Sequence, residues 1–238
     1  SGDRGHVRAS WLDSRHTFSF GHYQDPNEMG WGVLRVINDD KVEPNAGFSP
    51  HGHRDMEILS YVLEGALAHK DSTGGGSVLR PGEVQLMSAG RGITHSEFNP
   101  SSNERTHFLQ IWVTPNQGGI EPNYQQQAIP GGLVAGELKL LTSPDGRDGS
   151  LRMVQDALIY AGLLAIEQRI RYPMDAQRRA YVHLVRGTLN LNGITMQAGD
   201  GAKIMQEAML EFSQGHKQGQ DESREVSKDA EFLLFDLP

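Results

Sequence analysis

The sequence contains no cysteine, and this absence restricts the chemistry of any active site. It excludes a disulfide framework, a thiolate nucleophile and a zinc site built on thiolates. The sequence also lacks a GxSxG motif, which would mark a nucleophilic serine. Any metal that the chain binds must therefore be held by histidine and carboxylate side chains.

Positive charge is also scarce. Lys and Arg number 22 against 30 Asp and Glu, which gives a formal net charge of −8. No segment gathers the cations into a stripe that could neutralise a series of phosphates. We therefore expect no direct nucleic-acid partner.

Long hydrophobic runs are missing as well. Apolar runs such as AGLLAI at 161–166 are far shorter than the roughly 20 residues that a membrane span requires. We expect a soluble protein without a membrane-spanning segment. No stretch resembles a signal peptide, and we interpret the start at Ser1-Gly2 as processed, tagged or trimmed. We therefore expect a cytoplasmic location.

Glycine and proline, in contrast, are plentiful at 28 and 11 residues and are spread along the chain. Such turn-rich punctuation favours short strands over a helical bundle, and the length suffices for one large domain or two smaller ones. LIYAGLLAIEQRI at 158–170 is too apolar throughout to assign to helix or strand. Strand-like runs recur at short intervals and predict an all-β sandwich or barrel: GWGVLRVIND (30–39), EILSYVLEG (57–65), GEVQLMSAG (82–90), THFLQIWVTP (106–115), YVHLVRGTLNLNG (181–193) and EFLLFDLP (231–238).

The two halves of the chain resemble each other. Residues 60–87 and 180–205 share an apolar run, a glycine turn at Gly65 or Gly187, and a second apolar run. This pattern indicates an internal duplication. Counted back from those glycines, the positions of His51 and His53 are occupied in the second copy by Pro173 and Asp175. A histidine pair kept in one copy alone favours a functional role over a structural one.

Two short motifs carry metal-binding residue types. His51 and His53 are separated by one glycine, and His95 and Glu97 are separated by one serine. In a strand, residues i and i+2 point to the same face, so each pair could converge on one ion. Three imidazoles and a carboxylate suit Fe(II), Mn, Ni, Cu or Zn and leave coordination positions open.

These segments resemble the pirin family of the cupin superfamily. The pirin variants of the two cupin motifs carry HxH in the first and GRGxxHxE in the second. The likeness extends over nearly the whole chain and is strongest in residues 11–115. The matching stretches are HGHRDMEILSYVLEG (51–65), PGEVQLMSAGRGITHSEFN (81–99), HTFSFGHY (16–23) and RDGSLRM (147–153).

The resemblance implies an all-β bicupin of two jelly-roll-like β-barrels. Residues 1–140 would form an N-terminal metal-binding cupin domain. Residues 141–238 would form a degenerate C-terminal cupin domain without metal, because Phe212 and Gln214 fall where the first copy has His95 and Glu97. Two barrels of one chain can pair with each other, so we expect a monomer.

Carried over residue by residue, the pirin site implies His51, His53, His95 and Glu97 as ligands of one divalent transition metal. Fe(II) is the first choice, with Ni, Mn, Cu and Zn as alternatives. A general cupin would use the glutamate of its first motif, here Glu57. That residue shares the register of the histidines if the strand runs regularly from 51 to 57, and it is kept as a carboxylate beside the ligands.

The resemblance also implies an activity like that of quercetin 2,3-dioxygenase, in which a flavonol is cleaved with O2 and CO is released. Glu97 or Glu57 would accept the proton of the substrate's 3-hydroxyl. Some pirins resemble transcriptional co-regulators, which leaves open a metal or redox sensor that acts through a protein partner. A metal-dependent isomerase or a metal-stabilised scaffold is the third alternative.

Aromatic residues near the motifs are candidates for the wall of a substrate pocket. For His107, the favoured alternative is a strand histidine whose ring is satisfied by hydrogen bonding. For residues 16–20, the favoured alternative is a position in the hydrophobic core. The charged segment 216–231 is interpreted as a solvated loop or frayed helix. The pocket candidates are Phe18, Phe20, Phe48, Phe98 and His107. The histidines expected to be solvated are His6, His22, His69 and His216, while His183 is isolated in the second half.

Overall fold

The computed structural model describes residues 2–214 and 229–238, and nearly all regular structure in them is β-strand. The N-terminal half contains β1 (Gly5–Arg8), β2 (Leu12–His16), β3 (Leu34–Val42), β4 (Gly47–His53), β5 (Glu57–Glu64), β6 (Leu67–Asp71), β7 (Gly76–Leu79), β8 (Glu83–Ser88), β9 (Ile93–Phe98), β10 (Thr106–Val113) and β11 (Asn123–Ala128). The C-terminal half contains β12 (Glu137–Ser143), the 3₁₀ turn η1 (Arg147–Gly149), β13 (Leu151–Arg152), β14 (Leu158–Leu164), β15 (Arg169–Pro173), β16 (Arg179–Arg186), β17 (Thr188–Leu191), β18 (Ile194–Gln197), β19 (Gly201–Met205), β20 (Met209–Ser213) and β21 (Ala230–Leu237).

The described strands form four sheets, two from each half of the chain. The central N-terminal sheet has seven strands in the order β1-β2-β3-β10-β5-β8-β11, and the outer N-terminal sheet has the order β4-β9-β6-β7. The central C-terminal sheet has six strands in the order β13-β12-β14-β21-β16-β19, and the outer C-terminal sheet has the order β15-β20-β17-β18. The prediction of an all-β bicupin is confirmed.

The largest hydrophobic core lies between the two central sheets. It contains Leu59 and Ile111 from one sheet and Ile159 and Phe235 from the other, all fully buried. Each such side chain contributes about 1.5–3 kcal/mol when it leaves water. The two halves therefore stabilise each other through their central sheets, and each outer sheet closes a barrel on the remaining face.

The two barrels are filled differently. A continuous apolar cluster occupies the C-terminal barrel, where Phe212 and Phe232 stack with ring centroids 4.5 Å apart. The N-terminal barrel has two small clusters instead, one around Phe108 and one around Met87. The polar residues of the first barrel lie in the space that these clusters leave.

The duplicated glycines adopt the same conformation. Gly65 has φ 74° and Gly187 has φ 82°, in the left-handed region that favours glycine. A Cβ at Gly65 would lie 2.7 Å from the carbonyl oxygen of Arg105, and one at Gly187 would lie 2.8 Å from that of Asp229. The same close approach between a glycine and a neighbouring backbone segment therefore occurs in both barrels.

Cross-strand pairing corrects the count along the repeat. His51 pairs with His95, while Phe212, the counted equivalent of His95, pairs with Ile170. The position equivalent to His51 is therefore Ile170 and not Pro173. Both C-terminal positions carry buried apolar side chains, which is why the second barrel packs as a continuous core.

Each segment predicted to be a strand includes residues of at least one strand of the structure. The unassigned segment 158–170 forms β14 and the start of β15. The boundary predicted at 140/141 falls inside β12, which pairs with β14. The division into domains 1–140 and 141–238 stays a prediction. Most of the charged segment 216–231 lies outside the described residues. Among the residues that are described, no helix is long and apolar enough to cross a membrane.

Candidate metal centre

The candidate site lies on the inner face of the outer N-terminal sheet, where β9 runs between β4 and β6. His95 on β9 pairs with His51 on β4 and with Asp71 on β6. The register of β4 and β9 shifts between Phe48 and His51, as in a β-bulge, near a proline that has no N–H for the ladder. The bulge and the Gly52 step place both β4 histidines beside His95.

The three imidazoles form a compact triangle. Their ring centroids are 4.8 Å apart for His51 and His53, 4.5 Å for His51 and His95, and 4.8 Å for His53 and His95. Each ring offers a nitrogen within 4.8 Å of the other two. The spacing is that of a three-histidine ligand set.

Hydrogen bonding leaves the Nε2 atoms available. The Nδ1 of His51 lies 2.8 Å from the carbonyl oxygen of Ser49, so this nitrogen donates and its Nε2 carries the lone pair. The Nε2 atoms of His53 and His95 are buried and have no hydrogen-bond partner among the described residues. Buried polar atoms normally have one, so a ligand in this position would satisfy both.

Two of the three rings, those of His53 and His95, are also kept uncharged. Burial, reinforced by the neighbouring His51, lowers the pKa of His53 to about 4. Burial and the surrounding imidazoles lower the pKa of His95 to about 3. Metal ligation requires neutral imidazole. The donor set therefore fits a divalent transition metal.

Glu97 lies beside this triangle and is fully buried. It forms a second group with His69 and His95, again with potential ligand atoms within 4.8 Å of one another. Gln110 Nε2 donates to Glu97 Oε2 at 2.6 Å, and Ser60 Oγ approaches Oε1 at 3.4 Å. Burial raises the pKa of Glu97 to about 7, and the nearby Asp40 adds to the rise.

A cavity of about 320 Å³ opens onto the ligands. Small-molecule sites typically measure about 300–1,000 Å³, so it has room for one compact molecule. Trp112 meets both His53 and Phe20 edge to face, with centroids 4.8 and 5.2 Å apart. The lining residues are Val7, Leu12, Ser14, His16, Phe20, Gly21, His22, Asn38, Asp40, Phe48, His51, His53, Glu97, Gln110 and Trp112.

Comparison with known families decides the affiliation of this fold and site. The family model described as "Pirin" matches residues 2–113, and the model described as "Quercetinase C-terminal cupin domain" matches residues 140–237. The quercetin 2,3-dioxygenase of Escherichia coli strain K12 is 45% identical over 236 residues, which are 99% of this chain and 96% of the relative. The chain belongs to the pirin family.

Other relatives agree with this assignment. The pirin-like protein of Caulobacter vibrioides is 37% identical over 227 residues, 95% of this pirin and 92% of the relative. The crystal structure of the bacterial pirin YhhW from E. coli in complex with nickel(II) superimposes with a TM-score of 0.89 at 43% identity, over 100% of this chain and 96% of that one. The predictions of a pirin-like bicupin and of an enzyme resembling quercetin 2,3-dioxygenase are confirmed by these relatives.

Glu57 lies on the opposite side of its strand from the cluster. A regular strand from 51 to 57 does not form, because β4 ends at His53 and Asp55 has φ 48°. Glu57 Oε2 instead accepts hydrogen bonds from Ser88 Oγ at 2.9 Å and from the backbone N–H of Val154 at 3.1 Å. It connects the two halves of the chain, which corrects the expectation of a carboxylate beside the ligands.

Of the predicted pocket residues, Phe20 and Phe48 line the cavity. Phe18 lies in the core between the central sheets, with its ring centroid 5.5 Å from that of Tyr181. Phe98 is 44% exposed because it alternates with Glu97, and neighbouring residues of a strand point to opposite faces. Both placements correct the expectation of a pocket residue.

His107 also lies away from the cavity. Its Nε2 is 2.7 Å from Asp39 Oδ1, within hydrogen-bond distance. His107 is therefore a strand histidine with a hydrogen-bonded ring, which was the favoured alternative. Asp39 alternates on β3 with Asn38 and Asp40, which line the cavity, so His107 and its partner are on the other face.

Several residues near the site were missed by sequence reasoning. His69, expected to be solvated, is 3% exposed and lies with its ring centroid 5.2 Å from that of His95. Its neighbour at i+2, Asp71, gives the same alternating signal as HxH and HxE and could have been noticed. His16 and His22 line the cavity, which their local sequence context did not indicate. His216 lies outside the described residues.

Proposed function

We propose that this pirin is a metal-dependent dioxygenase that cleaves a flavonol with O2 and releases CO. The observation that carries the proposal is the triangle of imidazoles, whose available Nε2 atoms adjoin an aromatic-walled cavity of about 320 Å³. The relative in E. coli named quercetin 2,3-dioxygenase supports the same substrate class.

His51, His53, His95 and Glu97 would hold the metal. Fe(II) is the ion of first choice, and Ni(II), Mn(II), Cu(II) and Zn(II) suit the same nitrogen and oxygen donors. The E. coli structure in complex with nickel(II) supports a divalent ion in this family. Such an ion supplies a Lewis acid that lowers the pKa of a hydroxyl group placed next to it.

The cavity wall orients the substrate. Phe20, Phe48 and Trp112 provide aromatic surface for the flat rings of a flavonol. The Trp112 indole N–H donates to Gln110 Oε1 at 3.2 Å, so the ring that forms this wall is held in place from within the barrel. Packing against these rings would exclude water from the reacting part of the substrate.

Glu97 is the residue to which we assign proton transfer. Its Oε2 is occupied by the short hydrogen bond from Gln110, whereas the only hydrogen-bond contact of Oε1 within the described part of the chain is the long one with Ser60. The free side of Oε1 would accept the proton of the substrate's 3-hydroxyl. Glu57 is assigned a structural role instead, because both its hydrogen bonds lead to the interface between the halves.

The test is CO release when aerobic protein loaded with Fe(II) is given quercetin. The His51→Ala/His53→Ala double variant serves as the blank, and His6→Ala is a matched control because His6 pairs with Asp13 at the surface. We expect stoichiometric CO from the wild type and from His6→Ala, and none from the blank. Absence of CO from wild-type protein with each of these divalent ions bound in turn would reject the dioxygenase and favour a metal sensor.

A further inference from the structure

A buried pair of side chains lies behind His95, on the side away from His51 and His53. His69 and Asp71 are on β6, where Asp71 pairs with His95 and His69 pairs with Glu97. Their side chains are fully buried. The three residues form a line that starts at a carboxylate and ends at a candidate metal ligand.

The contacts along this line are ordered. Asp71 Oδ2 lies 3.0 Å from His69 Nε2, and His69 Nδ1 lies 3.5 Å from His95 Nδ1. The opposite nitrogen of His95, Nε2, is buried and has no hydrogen-bond partner within residues 2–214 and 229–238. The ring of Tyr124 stacks on His69 with centroids 4.7 Å apart and fixes its plane.

We propose that Asp71 and His69 are positioning residues that set the tautomer of His95. The carboxylate accepts the proton of His69 Nε2–H, which leaves the lone pair of His69 on Nδ1. That lone pair accepts the proton of His95 Nδ1–H, which leaves the lone pair of His95 on Nε2, directed toward His51 and His53. A carboxylate behind a ligating histidine is a general device for fixing ring orientation, and here a second histidine extends it.

The same geometry argues against His69 as a ligand. His69 could join a group with His95 and Glu97. Both of its ring nitrogens already face partners, however, since Nε2 faces Asp71 and Nδ1 faces His95. Using either nitrogen for a metal would break the line of hydrogen bonds.

Asp71→Asn tests the proposal because the structure dictates how the amide must sit. Asp71 Oδ1 accepts hydrogen bonds from Thr73 N at 2.8 Å, Thr73 Oγ1 at 2.5 Å and Gly75 N at 3.4 Å. In the variant the carbonyl oxygen of the amide must accept these same hydrogen bonds, so the NH₂ group points at His69. It then donates to His69 Nε2, moves the proton of His69 to Nδ1 and drives His95 to the Nε2–H tautomer.

The readout is the dissociation constant for Zn(II), from competition with a chromophoric chelator. We expect Asp71→Asn to weaken binding about 10–100-fold, the usual effect of losing such a partner. Asp145→Asn is the matched control, because Asp145 Oδ1 also accepts hydrogen bonds from a hydroxyl and a backbone N–H, far from the site. Equal affinity in wild type and a folded Asp71→Asn variant would overturn the relay.

A second measurement does not depend on the variant folding. Imidazole ¹⁵N shifts of the metal-free wild type report which nitrogen of His95 carries the proton. We expect Nδ1–H, and a predominant Nε2–H tautomer would reject the proposal. The relay rests on the proposed metal centre, and the two fail differently: wild-type protein that binds no metal rejects the centre, whereas the ¹⁵N shifts test the relay alone.

Discussion

His51 and His95 are directly opposite each other on adjacent strands, and their ring centroids are 4.5 Å apart. The pair exists because β9 is inserted between β4 and β6 in the outer N-terminal sheet. In the second barrel the same pairing joins Ile170 and Phe212. One cross-strand position thus distinguishes a polar barrel from a filled one.

His51→Ala and His95→Ala should each lower metal affinity by more than the roughly 10–100-fold that the loss of an outer-shell partner costs, while the protein stays folded. The apolar pair in the second barrel shows that the strand pairing does not require imidazoles. Titration of the apoprotein with Ni(II), together with circular dichroism, measures both effects. His6→Ala should bind Ni(II) with wild-type affinity. Undiminished affinity in both site variants would show that His51 and His95 do not form a metal centre.

Glu97→Gln should weaken metal binding and reduce turnover. The amide keeps a carbonyl for Gln110 but loses the charge and the proton-accepting oxygen. Metal content by mass spectrometry and the rate of CO release check the two effects separately. Full metal affinity and full rate in the variant would show that Glu97 has neither role.

Glu57→Ala should have the opposite profile. It removes the acceptor for Ser88 and for the Val154 N–H, and a buried donor left without a partner costs about 1–3 kcal/mol. We expect a lower free energy of unfolding in urea and unchanged metal affinity. Loss of metal at wild-type stability would instead assign Glu57 to the site.

Phe20→Ala and Phe18→Ala should have different effects, because Phe20 lies in the pocket and Phe18 lies in the core. Phe20 lines the cavity, so its removal should raise the KM for quercetin with little change in stability. Phe18 is 1% exposed in the central core, and Phe→Ala there costs about 3–5 kcal/mol. Kinetics and denaturant unfolding of both variants test this, and the reverse pattern would contradict the placement.

His183 should make the protein less stable at mildly acidic pH. It is 1% exposed, none of the described residues forms a hydrogen bond with its Nδ1, and burial lowers its pKa to about 4. As pH falls below about 6.5, the unfolded chain binds a proton that the folded chain refuses until about pH 4. The wild type should therefore lose up to about 3 kcal/mol more than His183→Leu between about pH 7 and pH 4. Parallel pH profiles of the two proteins would refute it.

The candidate ligands could be proposed from the sequence because each pair is local. His51 with His53, and His95 with Glu97, need only the two-residue period of a strand. Phe98 follows the same rule, and its outward position could have been predicted from Glu97. The spacing of His69 and Asp71 is equally local, but their position beside His95 follows only from the pairing of β6 with β9, which the sequence does not reveal.

Glu57 and Phe18 show a different limit. The direction in which Glu57 points depends on Asp55, whose positive φ interrupts the strand that ends at His53. Phe18 follows the end of β2 at His16, so the alternation from His16 to Phe20 does not describe one strand. Turns of this kind depend on tertiary contacts, and hydrophobic periodicity does not reveal them.

The most direct test of the metal centre is anomalous diffraction from crystals of the protein loaded with Ni(II). We expect one strong peak in the N-terminal barrel, bordered by the Nε2 atoms of His51, His53 and His95 with Glu97 beside it. A peak between His69, His95 and Glu97 that leaves His51 and His53 unliganded, or no peak in this barrel, would contradict it.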